Sequence, residues 1–251
     1  MEIKSKSTLI LSVALLLGLI GWVGCEENPS NDQYKTESDI NLLATETQSG
    51  NNPNTTPFED AESFFEFNTT DNDLGLQIFL DAEDWEQVRV NDANGKQIVQ
   101  ILTQGPLKDL GITELRFESA EPSPEEVLAQ FPPGEYHFTG RTIEGEQLYS
   151  TSELSHDFLA APTISPSGGE EVDPENTVIT WDAPDAELVE VIIESEETDN
   201  VFDVIVEGEV TSLTIPSEFL EPGTEYKLEI LAISENGNRT IVETTFVTAE
   251  E

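Results

Sequence analysis

The chain has 251 residues, of which 10 are basic and 52 acidic, for a net charge of −42. So few Lys and Arg cannot assemble the phosphate-neutralising patches that nucleic acid requires, nor a surface that adsorbs to anionic lipid headgroups. The single cysteine, Cys25, excludes an intrachain disulfide framework and any cysteine-based zinc site. The surplus of carboxylates fits solubility in a salty medium, or binding of divalent or cationic partners.

Residues 1–24 read as an export signal. Lys4 and Lys6 form a short positive region, and the chain is almost wholly apolar from Leu9 to Leu17 and continues so toward Gly24. The run is too short, with the wrong flanks, for an ordinary membrane span, and it ends in small residues before a cysteine. Val23-Gly24-Cys25 resembles the bacterial lipobox, although Trp22 stands where that pattern usually has Leu. The resemblance implies cleavage before Cys25, lipidation of its sulfur and acylation of the new amino terminus. The membrane would then be reached through a lipid anchor, at about 0.8 kcal/mol per buried CH₂.

Residues 25–57 form a linker rich in Asn, Ser, Thr, Pro and Gly. That composition cannot bury enough apolar surface to offset chain entropy. Residues 58–160 read as all-β. Phe64-Phe65-Glu66-Phe67 is a first strand, and Leu74, Leu76, Ile78 and Leu80 alternate onto one face of the next. Gln87–Val90 and Gln97–Ile101 flank Asn94-Gly95, a hairpin signal. Glu114–Phe117 is another strand, and Pro124–Phe131 is a short helical turn with Pro and Glu at its start.

Then comes Phe131-Pro132-Pro133-Gly134-Glu135-Tyr136, and the pattern recurs 90 positions later as Leu220-Glu221-Pro222-Gly223-Thr224-Glu225-Tyr226. A period near one domain length suggests tandem sandwiches. In residues 161–249, Ile179 and Trp181 share a strand face, as do Tyr226, Leu228, Ile230 and Ala232 on a late strand. A Trp ending an early strand and a tyrosine after a Pro-Gly turn resemble the fibronectin type III module and its tyrosine corner. The resemblance implies about seven strands and a structural core that includes Trp181, Tyr226 and Ile179, with Tyr136 in the matching position upstream. Residues 58–160 are immunoglobulin-like or fibronectin-like.

Chemistry-bearing motifs are few. There is no Gly-x-Ser-x-Gly elbow, and His137 and His156 are the only imidazoles. His137 alternates against Tyr136 and Phe138 and should face outward. Asp71, Asp73 and Asp92, in turn-like stretches, are weak calcium candidates, because turns offer the oxygen ligands calcium takes. Asp71-Asn72-Asp73 lacks the later ligands of an EF-hand, and Asp92-Ala93-Asn94-Gly95 also reads as a plain hairpin turn. No cofactor is implied.

The expectation is therefore an all-β lipoprotein of a bacterial envelope, with two tandem antiparallel β-sandwiches after a signal peptide and linker. It would be non-enzymatic and would display its modules to a protein partner, for interaction or adhesion. A carbohydrate-binding accessory is the alternative, which needs exposed aromatics; Trp85, Tyr149 and Phe158 are the candidates. A calcium-dependent binding module is a third.

Overall fold

The computed structural model describes residues 55–198 and 200–250. Residues 1–54, on which the expected export signal, Cys25 and most of the expected linker fall, lie outside the described residues. The first strands are β1 (Thr55–Thr56), β2 (Asp60–Asn68), β3 (Asp73–Asn91) and β4 (Gln97–Leu102). After them come α1 (Pro106–Leu110), β5 (Ile112–Glu118), α2 (Pro124–Leu128), β6 (Gly134–Thr142) and β7 (Gln147–Leu154). The second group is β8 (Thr163–Ser165), β9 (Glu170–Val172), β10 (Val178–Asp182), β11 (Leu188–Glu194), β12 (Val201–Glu207), β13 (Ser212–Thr214), β14 (Glu225–Ile233) and β15 (Arg239–Thr248). The chain is all-β, and its sheets pack as sandwiches.

Two stretches that read as separate strands are one. β3 is 19 residues long and carries both the Leu74–Leu80 alternation and Gln87–Val90. A register shift between Asp81 and Trp85 bends it. Its first half pairs with β2 and β5, and its second half with β4 and β6. Such a shift re-aims side chains at the bend. Trp85 is thereby turned fully into the first core, beside Leu74, Leu76, Ile78, Leu80 and Phe138. The sequence offers no element at α1. Pro106 begins it and Gly111, in a left-handed conformation, ends it, and none of its residues is buried.

The Asn94-Gly95 signal does mark a hairpin, and Asn236-Gly237 marks another, but neither is a two-residue loop. At Asp92–Lys96 the Gly95 N–H donates to the Asp92 carbonyl while the Asp92 N–H donates to Lys96. Ser234–Asn238 repeats that pattern around Gly237. Each glycine sits at positive φ, 78° and 85°, where a side chain would be strained. This is the three-residue loop with a bulged glycine.

The second core is closed by two sheets. β10 lies between β8 and β13 in one; β14 lies between β11 and β15 in the other, with β12 beyond β11. Ile179 and Trp181 face Val189, Val191, Ile193, Tyr226, Leu228, Ile230 and Phe246. Trp181 is 5% exposed. Trp181→Ala should cost about 3–5 kcal/mol in urea unfolding, because it removes the largest side chain from one wall of this core. A loss under about 1 kcal/mol would mean that the core does not depend on that wall.

A parallel ladder not signalled by the sequence joins the two groups of strands. β15 pairs with β2 from Arg239 opposite Glu66 to Ile241 opposite Asn68. One sheet therefore runs from β7, β6 and β3 through β2 and β15 to β14, β11 and β12.

Candidate functional site: the seam between the sandwiches

The seam is built from the β14–β15 hairpin. Its Gly237 turn leaves Asn238 as the residue just before β15, 1% exposed. The Asn238 side chain accepts from the Phe65 N–H at 2.8 Å and donates to the Ser155 and Asp157 carbonyls at 2.9 and 3.0 Å. It thus holds β2, the segment after β7 and its own hairpin together. Asn236 donates to the same Asp157 carbonyl, and the Thr240 hydroxyl to Leu159. The connecting segment divides its apolar residues between the cores. Phe158 packs on Phe65 and Phe67 in the first, and Leu159 packs on the second.

Arg239, next along β15, is the charged centre of the seam. Its guanidinium lies 3.1 Å from Glu66 on β2 and 3.1 Å from Glu190 on β11, and stacks 4.8 Å over the Phe64 ring. Glu190 is fully buried on the face of the sheet opposite the second core, beside Ile192, Leu231 and Ile241. Burial raises its pKa above the ordinary carboxylate range; Arg239 opposes the rise, and the neighbouring Asp203 on β12 adds to it. Burial likewise raises Glu66 against the pull of Arg239. One Glu190 oxygen has no hydrogen-bond partner among the described residues when the acid is ionised. A proton on it can be shared with Asp203, whose own pKa is raised mainly by burial.

Further along the same joint, Thr69 donates from both its N–H and its hydroxyl to the Ile241 carbonyl, and Asn68 donates to Glu243. Carboxylates gather here. Glu121 lies against Gly75, and its pKa is pushed up to about 7 by burial and by Glu118, Asp73, Glu66 and Glu243. Asp73 is raised too, by burial and by Asp71 and Glu243.

The residues singled out from sequence fall in three places. Tyr226 and Tyr136 are fully buried, as is Ile179. The Tyr226 hydroxyl accepts from the Glu221 N–H at 2.8 Å, and the Tyr136 hydroxyl donates to the Pro132 carbonyl at 3.1 Å. Each ties a strand start to the turn before it, which is the tyrosine-corner arrangement. Asp71 and Asp73 border the seam, but Asp92 is far away in chemistry: it is 2% exposed and accepts from the Asn94 and Lys96 N–H groups of its own hairpin. Among the described residues, no three or more His, Cys, Asp or Glu are grouped to hold a metal ion.

The histidines do not meet. His137 is half-buried rather than fully outward, with Nδ1 3.0 Å from the Tyr149 hydroxyl. His156 has Nε2 2.8 Å from the Phe131 carbonyl and packs near Phe65. Of the three aromatics a glycan platform needs, Trp85 is in the core, Phe158 is in the seam and Tyr149 is half-buried. A concavity near 580 Å³ is open and lined by Thr70, Glu194, Glu225, Lys227 and Glu243. Lys227 is already paired there with Glu229 at 2.6 Å and Glu243 at 3.2 Å.

No family model matches the chain. A curated relative, tenascin of Gallus gallus, is 34% identical over 79 residues, which is 31% of this chain and 4% of the relative's length. The chain therefore spans a small fraction of that protein. Among solved structures, chicken CNTN1 FN1–FN3 domains align at TM-score 0.35 and 11% identity, covering 78% of this chain and 65% of that one. A two-domain fibronectin type III segment from chicken tenascin aligns at TM-score 0.29 and 13% identity, covering 75% and 94%. A tetra-tandem repeat from the extending region of a large adhesion protein aligns at TM-score 0.29 and 15% identity, covering 76% and 50%. Three-on-four strand packing, the tyrosine corner at Tyr226 and the tenascin match together describe a fibronectin type III-like fold.

Proposed function

We propose that this chain is a non-enzymatic lipoprotein of a bacterial envelope, acylated at Cys25, that presents joined β-sandwiches to a protein partner. The observation that carries the presenting role is the seam. Asn238 and Arg239 fix strands of both sandwiches in one sheet, so surfaces on each side keep a set relation. A catalyst needs convergent polar groups in a water-poor pocket. Here the two histidines are engaged on separate strands and loops, and the concavity beside Lys227 is open to solvent. The strongly acidic surface favours a partner whose contact face is basic.

The full chain and its Cys25→Ser variant, expressed in a bacterium with labelled palmitate, test the anchor. The wild type should carry label and sediment with membranes, and the variant should be unlabelled and released. A variant that stays membrane-bound would overturn the lipoprotein reading. The detergent-solubilised full chain, immobilised and exposed to envelope proteins and to envelope glycans, tests the presenting role. Capture of a protein in preference to glycan supports it, and glycan-only capture replaces it.

A further inference from the structure

β12 stands at the outer end of the long sheet, with β11 as its one strand neighbour among the described residues. The direction of its backbone follows from the hairpin next door. Ser234 N–H donates to the Asn238 carbonyl, and Thr248 N–H to the Thr224 carbonyl, so even-numbered residues of β14 turn their backbone toward β15. Antiparallel ladders alternate, so odd-numbered residues of β14 pair with even-numbered residues of β11. Val189, Val191 and Ile193 then pair with Val206, Val204 and Phe202. Val201, Asp203 and Ile205 are left with their N–H and C=O groups directed away from the sheet.

This edge is guarded by like charge alone, from Asp203 and Glu207. Edge strands are normally blunted by shortness, bulges, proline or charged side chains, lysine above all. β12 is seven residues long, runs in unbroken register with β11 and contains neither Pro nor Lys. β1, β8 and β13, which also end sheets, are only two or three residues long; β4 and β5, each paired with β3 alone, are edges of six and seven residues, but β4 is bulged against β3 and β5 carries Glu114, Arg116 and Glu118. Five of the seven β12 residues are apolar strand formers. Phe202, Val204 and Val206 lean on the second core but remain partly exposed, while Val201 is 59% exposed and Ile205 39% on the other face.

Charge selects the occupant. Asp203 and Glu207 lie on the outer row, with Glu196 and Glu197 before the strand and Glu209 after it. A second copy would bring the same acids to the same edge, on a chain of net charge −42. We propose that β12 is a strand-addition site that receives an extended peptide segment of a partner protein, with alternating apolar and basic residues. Main-chain hydrogen bonds to Val201, Asp203 and Ile205 supply the attachment. The apolar residues extend the row of Phe202, Val204 and Val206, and the basic ones meet Asp203 and Glu207. This names the partner chemistry of the interaction module and rests on that reading.

The test uses the full chain in detergent and a short capped peptide of alternating valine and lysine. Controls are alternating valine and glutamate, and lysine alone. Binding is read by fluorescence anisotropy and by amide exchange at Val201, Asp203 and Ile205. The valine-lysine peptide should bind and protect those three amides, and both controls should bind at least about tenfold more weakly. Ile205→Pro removes an outward N–H that β11 does not use, so the fold should persist while binding drops about tenfold or more. Ile205→Lys, which leaves the backbone intact, should weaken binding in the same direction by adding like charge.

Four results would overturn the proposal. They are absence of peptide binding, equal binding by lysine alone, unchanged binding in a folded Ile205→Pro variant, and amides already protected without peptide. The last, with a sedimentation shift abolished by Ile205→Pro, would assign the edge to a second copy. None of these results touches membrane anchoring or protein capture by other surfaces, so the broader reading fails or stands separately.

Discussion

Asn238→Ala should lower unfolding free energy by about 2–4 kcal/mol, a large loss for one polar side chain near a surface turn. The cost comes from what it leaves behind. The Phe65 N–H loses its buried acceptor, and the Ser155 and Asp157 carbonyls each lose a donor. A buried donor without a partner costs about 1–3 kcal/mol, more than the net worth of the bond it made. Asn238→Asp should be worse at neutral pH. It keeps an oxygen for Phe65 but aims a second one at two carbonyls, with charge in a buried site. Asn236→Ala, which loses the exposed bond to Asp157 together with the acceptor for the Ser234 hydroxyl and the Asn238 N–H within the same turn, should cost about 1 kcal/mol, less than Asn238→Ala.

The location of the loss can be read as well as its size. Trp85 belongs to the first core and Trp181 to the second. With Trp22 also replaced by Phe, single Trp→Phe backgrounds therefore report the two cores separately during urea unfolding. With Asn238 present the two reports should coincide; with Asn238→Ala they should separate, because the seam no longer transmits stability. Coincident transitions at the wild-type midpoint would show that the β2–β15 ladder alone makes the joint.

Residues whose partners lie within one strand or one hairpin were legible in the sequence. Alternation placed Leu74 to Leu80 and Tyr226 to Ala232, because period-two patterning is written locally. The corner at Tyr226 was legible for the same reason, since its hydroxyl reaches back only five residues. The seam was not. Asn238 bonds to Phe65 across 173 positions, and nothing in Asn-Gly-Asn-Arg distinguishes that asparagine from an ordinary turn residue. The continuity of β3 was hidden because Asp81–Asp84 reads as a polar loop. In the structure those residues form the bend that carries one strand past several partners. A weak signal did exist for Arg239. It is one of few basic residues in a very acidic chain, and it opens an apolar strand. Phe202, Val204 and Val206 alternate in β12, which marks a strand, but its position at the end of the sheet is a property of topology, not of the segment.

Arg239→Met should cost about 3–5 kcal/mol at pH 8, and much of that cost should vanish as the pH falls toward 5. At pH 8 the substitution leaves Glu190 and Glu66 without the one cation that touches both. Glu190 is fully buried, so its ionised form has no water to replace the guanidinium. The sign follows from proton linkage. Glu190 has a folded-state pKa above its unfolded value, so between the two the folded state holds the extra proton. Stability therefore falls as the pH rises through that window, and removing Arg239 widens the window upward. In the wild type, Glu66, Asp73, Asp203 and Glu121 are also raised, Glu121 to about 7. The intact protein should thus gain stability between pH 8 and pH 5, and the Arg239→Met protein should gain more. Urea midpoints at the two pH values give both slopes. A control separates charge from packing: adding Glu190→Leu to Arg239→Met removes the stranded carboxylate, and should restore most of the pH 8 loss and flatten the extra slope. If the double variant is as unstable as the single one, the contact of Arg239 with Phe64 and its packing, rather than charge compensation, hold that part of the seam.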